Sequence, residues 1–273
     1  MATPIGYNPD EQATIQSAFA AYPSWRCLIY DVVASTQDAC AKHAEEEEEE
    51  EAEQLCVVAS HQVEARGRRG STWDQEPGLD LSLSLLLRPA GRYPDLLLPL
   101  LLPAALRATV LERLASTPVA ADAVQLKWPN DLLVQGRTLA GVLIEACPPD
   151  RWIAGIGLNV NRLDFPPELA ERATSLTLLT GTYEYRAELC AELLARVLSL
   201  LDEAERGDGS RSIAGFNRGL GLVGEEVELT QGGTTERGRL LGVTPDGVAL
   251  EDGRCFALGS VGGLSASRGS RGR

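Results

Sequence analysis

Lysine and histidine are scarce in this sequence. Of its 25 basic residues only two are lysines, Lys42 and Lys127, and only two histidines are present, His43 and His61. Neither histidine stands at a metal-ligand spacing, which leaves little for zinc hydrolysis or a Ser-His-Asp triad. The six cysteines (27, 40, 56, 147, 190 and 255) include no CxxC pair, arguing against a structural zinc site and a dense disulfide scaffold. Long apolar runs are missing too. The longest, Leu96–Leu106, has 11 residues and two prolines, too short to span a bilayer. The N-terminus, MATPIGYNPDEQATIQ, lacks the basic start and apolar stretch of a signal peptide. No repeat is visible.

Positive charge is in deficit as well. With 25 Lys+Arg against 39 Asp+Glu the formal net charge is −14, and such a chain is a poor general binder of the DNA backbone. Together these absences predict a cytoplasmic protein that binds neither membrane nor DNA. Much of the acidity is local. Eight glutamates cluster as Glu45–Glu51 plus Glu53, and without them the balance is 31 acids against 25 bases. This run reads as a solvated acidic insertion over about 45–53, because its neighbours would repel within a helix.

A chain of 273 residues with 44% hydrophobic content predicts one or two domains with a sizeable core. The first 20 residues or so are polar and weakly patterned, and 1–25 reads as an N-terminal extension. Arg26–Val33 reads as a strand, followed by a helix that Ser35 caps, with Asp38 as its capping-box partner. Leu55–His61 is a second strand. In Leu79–Leu87 leucines alternate with Asp80, Ser82 and Ser84, the pattern of a half-buried strand. Residues 95–115 read as helical, and Val124–Trp128, Thr138–Ala146 and Trp152–Asn159 as strands, with PND as a turn after the first. Tyr183–Arg206 and Ser210–Leu220 read as helices. From 222 to 267, short β-like pieces are separated by Gly, Asp-Gly and Gly-Gly at hairpin spacing, which predicts a small antiparallel barrel. The Arg/Gly/Ser tail, 268–273, reads as disordered.

Three segments carry the chemistry. Glu64–Gly70, EARGRRG, places three arginines among two glycines. Guanidinium forks bind oxyanions bidentately, and glycine lets backbone come close to them. Taken alone the segment also fits a solvated basic loop or an RNA-binding tract. Lys127–Asp131, KWPND, holds one of the two lysines at a strand end. A compact ammonium there could neutralise a carboxylate or an α-phosphate; a surface lysine beside a turn is the alternative. Gly155–Asn161, GIGLNVN, ends a strand with glycines and asparagines, a mark of either ligand approach or a bulge. Jointly the three describe strand-end loops gathered around a small anionic ligand, activated by positioning and charge neutralisation without a protein nucleophile.

These segments, with their neighbours, resemble one family. DVVASTQDA, HQVEARGRRGSTW, GLDLSLSLLLRP, LKWPNDLLVQGRTLAGVLIE, GIGLNVN, RATSL and GSVGGLSAS follow in the order found in biotin–protein ligases, from Ser35 to about Ser267. The resemblance implies an α+β fold: a mixed-sheet catalytic domain of the biotin/lipoate-ligase type over 26–220, then an SH3-like β-barrel over 221–267. It implies a two-step reaction in which biotin and MgATP give biotinyl-5′-AMP and pyrophosphate. A lysine of the biotin carboxyl carrier protein of acetyl-CoA carboxylase then takes the biotinyl group. ATP with Mg²⁺ and biotin would be substrates, with no fixed protein metal site and no tightly bound cofactor.

By matching motif, the resemblance implies that Ser35, Thr36, Gln37 and Gln62 approach the biotin head. Arg66, Gly67 and Arg68 would lie on a loop that folds over biotin and the adenylate, with Trp73 and Gly141 also against the ligand. Lys127 would contact the biotin carboxylate and the α-phosphate, and Asn130 and Asn159 would stand near the nucleotide. Lys127, Arg66 and Arg68 would be the catalytic cations. The chain departs from the family pattern at Gln37 (for Asn), Ala65 (for Gly), Ser71 (for a basic residue) and Thr138 (for a basic residue). The cation lost at Thr138 is then absent or replaced by Arg137.

Alternatives within reach are a lipoate or octanoate ligase or transferase of the same superfamily, a non-catalytic biotin-binding paralogue, and a biotin-responsive repressor. About 25 residues precede the first strand, too few for a winged helix-turn-helix, so the form without a DNA-binding domain is expected. Monomer and homodimer are both open.

Overall fold

The computed structural model is described over residues 6–46, 54–87, 97–148 and 150–267. Helix α1 (Pro9–Ser17) is followed by β1 (Trp25–Val33), α2 (Thr36–Glu46), β2 (Gln54–Gln62), β3 (Leu81–Leu87) and α3 (Leu98–Leu114). Then come β4 (Val124–Lys127), β5 (Asp131–Val134), β6 (Arg137–Cys147), β7 (Arg151–Leu158), α4 (Leu176–Thr180), α5 (Arg186–Glu205) and α6 (Ser210–Leu220). The last stretch is all strand: β8 (Glu226–Gln231), β9 (Thr234–Thr244), β10 (Gly247–Leu250), β11 (Cys255–Phe256) and β12 (Val261–Ala266). Glu45 and Glu46, expected to open the acidic insertion, instead finish α2. The rest of that run and the tail 268–273 lie outside the described residues.

Seven strands form one mixed sheet in the order β1-β2-β3-β7-β6-β5-β4. Only β1 and β2 run parallel, with α2 as the crossover between them. Every other neighbouring pair is antiparallel. Five strands form a second, antiparallel sheet in the order β11-β10-β9-β8-β12. The chain is therefore α+β, with a mixed sheet followed by an all-antiparallel one.

The leucine alternation has a different cause from the one expected. All seven residues of β3 are buried, because the strand sits between β2 and β7 with both faces covered. Leu81, Leu83, Leu85 and Leu87 enter the main core, which α3 and α5 also fill. On the opposite face Ser84 meets α2: its Oγ lies 2.7 Å from Thr36 Oγ1, and its carbonyl accepts from Cys40 Sγ at 3.6 Å. Period two here separates two chemistries, not core from solvent.

Two further expectations are corrected. The N-terminal segment, weakly patterned in sequence, nevertheless holds a helix: Pro9 at the first helical turn and an Asn8–Glu11 capping box start α1. Tyr7, Ile15, Phe19 and Trp25 are buried in the main core, so this segment packs against the body that follows. The turn after Lys127 is also tighter than expected. Asp131 begins β5, whose pairing brings it opposite Lys127, and DLLV is a strand that the PND signal obscured.

The second sheet docks through few polar bonds. Asn217 on α6 donates to Val243 O at 2.7 Å and accepts from Val243 N at 2.8 Å. Trp128 Nε1 donates to Val261 O at 2.9 Å, and its ring meets Phe216 edge-on at 6.2 Å.

Asp80, just before β3, is fully buried. Its carboxylate accepts from Glu76 N at 2.9 Å and Val160 N at 3.2 Å, tying the sheet to the loops at its end. Burial pushes its carboxyl up to about 7, against the pull of the Glu76 and Val160 amides and of Arg162. An unfolded aspartate titrates near ~3.9. Between those values the folded state holds a proton that the unfolded state has lost, so stability falls as pH rises through this window. We therefore expect Asp80→Asn to remove that fall. Urea midpoints at several pH values check this; parallel profiles for variant and parent would contradict it.

Candidate functional site

One cavity of about 470 Å³ lies where the ends of the central strands meet the arginine loop and the segment after β7. Its polar end is built on the start of α2. Ala39 N donates to Ser35 O at 3.0 Å, and Gln37 N donates to Ser35 Oγ at 3.2 Å, so Ser35 does start the helix. Asp38 is not its capping partner; that carboxylate turns to Arg66 instead. Thr36 donates through both N and Oγ1 to Gln62 Oε1, at 2.7 and 3.0 Å. Gln62 is set in turn by Gln75 Oε1, 3.1 Å from its backbone N. Gln37 is 5% exposed and donates to Glu145 Oε2 at 2.6 Å. Its Oε1 is buried with no partner.

The arginine loop folds back on itself. Gly67 N donates to Ser71 O at 2.7 Å, Ser71 Oγ donates to Arg68 O at 2.9 Å, and Arg66 bridges to Thr72. A Cβ on Gly67 would lie 2.5 Å from Ser71 Oγ, so glycine permits the close return. Arg69 takes a left-handed conformation at φ 55°, uncommon for a residue with a Cβ. Ala65 is buried, its carbonyl accepts from Trp73 N at 3.0 Å, and its backbone is not left-handed. The methyl group in place of hydrogen is therefore accommodated without strain.

The floor is glycine under tryptophan. Gly141 on β6 and Gly157 on β7 are register partners, and the Trp73 indole lies over both. A Cβ on Gly157 would stand 2.7 Å from Trp73 Nε1, and one on Gly141 3.1 Å from Cζ3. Like Gln37 Oε1, Trp73 Nε1 is buried and unpartnered. The cavity wall thus presents orphan polar atoms, Gln37 Oε1 as an acceptor and Trp73 Nε1 as a donor among them, an expensive arrangement in an apolar interior unless a ligand meets them.

Six cations line the cavity: Arg66, Arg68, Arg69, Lys127, Arg162 and Arg172. Arg66 is held by Asp38 at 2.6 Å and Glu145 at 3.5 Å, and Asp38 above all keeps its guanidinium protonated. Arg162 is 4% exposed, pairs with Asp74 at 2.7 Å and Asp80 at 3.8 Å, and lies 4.4 Å from the Phe165 ring. Lys127 Nζ stands 3.7 Å from Asp131 and is mostly exposed. Among the described residues Arg68 donates to neutral Asn130 Oδ1, at 3.4 Å; burial, then the neighbouring Arg69, pull its pKa below the usual value. Asn130 itself is fixed by donation to Val142 O at 2.8 Å. Among the described residues no group of His, Cys, Asp or Glu gathers in a way that could hold a metal.

All twelve residues singled out from the sequence line this one cavity. Asn159 does so from within the wall, its Nδ2 donating to Thr174 O at 3.0 Å and Thr138 O at 3.5 Å. Arg137, the expected stand-in for a cation at Thr138, is exposed and outside the lining, whereas Thr138 is within it. Arg162 and Arg172 were not foreseen. Arg162 follows GIGLNVN in an irregular segment with no local signal of its own, whereas Arg172 opens RATSL, a segment of the resemblance that by itself assigns that arginine no role.

Comparison with known proteins narrows the chemistry. Residues 29–161 match the Biotin/lipoate A/B protein ligase family. The bifunctional ligase/repressor BirA of Bacillus spizizenii is 35% identical over 232 residues, 82% of this chain and 68% of that protein. The biotin–[acetyl-CoA-carboxylase] ligase of Mycobacterium tuberculosis is 33% identical over 191 residues, 68% of each. The biotin protein ligase of Aquifex aeolicus, solved in complex with biotin and ATP, superposes with a TM-score of 0.71 at 29% identity, covering 90% of this chain and 100% of that one.

The glycine floor can be tested without a ligand. Gly157→Ala forces Trp73 from its seat, and we expect a loss of about 1–3 kcal/mol in unfolding free energy, as for other overpacked sites. The shift should appear in tryptophan fluorescence and vanish in a Trp73→Phe background. An unchanged spectrum and midpoint would show that the indole does not pack there.

Proposed function

The chain belongs to the Biotin/lipoate A/B protein ligase family, and from that membership we propose that it is a biotin–[acetyl-CoA-carboxylase] ligase. It activates biotin with ATP as biotinyl-5′-AMP and transfers the biotinyl group to a lysine of a biotin carboxyl carrier protein. One observation carries the reading: a single cavity joins a buried polar end with orphan hydrogen-bonding atoms to a wall of six cations.

The two ends suit the two parts of the reaction. A ureido ring offers N–H donors and a carbonyl acceptor, the complement of Gln37 Oε1 and of the polar cluster at Thr36, Ser35 and Gln62. The dithiolane ring of lipoate offers no N–H and would leave Gln37 Oε1 unpaired, which favours biotin. At the other end an anionic carboxylate must attack an anionic α-phosphate. A new C–O–P bond forms, the bond to the bridging oxygen breaks, and pyrophosphate leaves with its electron pair. The protein contributes positioning and positive charge, not a nucleophile.

Lys127 is the compact cation for carboxylate and α-phosphate, and Arg68 and Arg66 act from the loop, which Gly67 allows to close. Trp73 and Gly141 wall the ligand, and Asn130 and Asn159 stand at the nucleotide. In the second step the carrier lysine, as free amine, attacks the acyl carbon and AMP leaves. Mg²⁺ enters with ATP and shields the phosphates when bound; no carboxylate cluster of the chain is assigned to it.

In this reading residues 26–220 form the catalytic unit and 221–267 the SH3-like barrel against it. The protein is cytoplasmic and binds no DNA, which the net charge of −14 supports. No helix among the described residues is long and apolar enough to cross a membrane. A homodimer would use an open sheet edge, β1 or β4, and sedimentation at micromolar concentration reads it.

Lys127→Ala should lower ATP- and biotin-dependent labelling of a purified carrier domain by about 10²–10³, the usual cost of removing one transition-state charge contact. Labelling at the parental rate would refute its role.

A further inference from the structure

We propose that Arg172 is a phosphate-binding residue of this site, supplying from the wall after β7 the positive charge that its neighbour Thr138 does not. The inference rests on the ligase reading, since it concerns which side chain meets the nucleotide's phosphate chain.

The cations of the cavity divide by partner. Arg66, Arg162 and Lys127 each have a carboxylate within 4 Å. Arg172 has no hydrogen-bond or ion-pair partner for its side chain among the described residues, and it is exposed. An arginine already neutralised by the protein adds little to a ligand phosphate, whereas an unpaired one adds a full charge and a planar fork suited to two phosphate oxygens.

Its backbone, by contrast, is tightly fixed. Thr138 N donates to Arg172 O at 2.7 Å, Thr174 N donates to Thr138 O at 3.0 Å, and Thr138 bridges to Ala173 as a short parallel pairing. Ala173 N also donates to Leu169 O at 2.8 Å. Asn159 binds Thr174 O and Thr138 O with one amide, holding the two segments together. The 172–174 segment is thus an additional rung beside β6, and it brings Arg172 to the lining next to a neutral Thr138. Arg137, on the other side of Thr138, stays outside. An exposed side chain on a backbone fixed in this way can meet a ligand without moving the wall.

The test follows ATP and biotin separately. Arg172→Ala should raise the KM for ATP in pyrophosphate release by about tenfold or more, the loss of one charge-assisted contact. The KM for biotin should stay within about twofold, because the polar end is untouched. Arg172→Lys should retain most of the ATP affinity. Thr138→Lys should restore it in the Arg172→Ala background, a rescue that a merely structural role would not allow. Three results would overturn the proposal: an unchanged KM for ATP in Arg172→Ala, an equal loss for ATP and biotin, or an ATP defect in Arg137→Ala alone. If the parent protein releases no pyrophosphate, the ligase reading fails by itself. Calorimetric titration of parent and Arg172→Ala with a non-hydrolysable ATP analogue then still decides for or against Arg172.

Discussion

Mutual repulsion among the cations of the cavity is the constraint on which the rest of the structure depends. Six of them surround a space of about 470 Å³, and two unit charges 8 Å apart at an effective dielectric of 20 repel by about 2 kcal/mol. Carboxylates from four places relieve this. Asp38 on α2 and Glu145 on β6 hold Arg66, Asp74 and Asp80 ahead of β3 hold Arg162, and Asp131 at the start of β5 stands by Lys127. The strand order brings these distant segments together, so the fold and the electrostatics are one problem. Among the described residues Arg68, Arg69 and Arg172 have no such partner within ion-pair distance, and in the proposed reading the phosphates of ATP would complete the neutralisation.

Packing supplies the other half of the site. A cavity beside a sheet needs side chains removed from one face of it, and here Gly141, Gly155 and Gly157 do this on adjacent strands. Trp73 uses the vacated surface, and Gln37 and Ser84 approach Gly155 closely. The opposite face of β3 carries leucine into a fully buried core, which fixes the register and with it the polar face. A one-residue slip would put leucine against Thr36 and serine into the core.

The sequence made much of this legible, for identifiable reasons. Strands and long helices were readable because their periodicity is an averaged property of many residues. The site was readable where several functional residues are contiguous, as in EARGRRG, KWPND and GIGLNVN. Three features were not readable, each through a competing physical effect. The alternation in β3 has the same period whether the second face meets water or a covering helix, so Ser82 and Ser84 looked exposed. The N-terminal segment has little periodicity of its own, and α1 is stabilised by a capping box and by burial of Ile15. Arg162 and Arg172 join the site only through tertiary pairing, Arg162 with Asp74 and Asp80 and the Arg172 backbone with Thr138. RATSL contains Arg172, but nothing in that segment tells that its backbone pairs with Thr138.

The central claim is that the polar end of the cavity selects a ureido acid and the cationic wall joins it to AMP. It is tested most directly by pyrophosphate release from ATP by the purified protein, with biotin or lipoate as the only acid present. The account predicts release with biotin, matched mole for mole by biotinyl-5′-AMP, and little with lipoate. Release with lipoate at an equal or greater rate, or none with either acid, would contradict it.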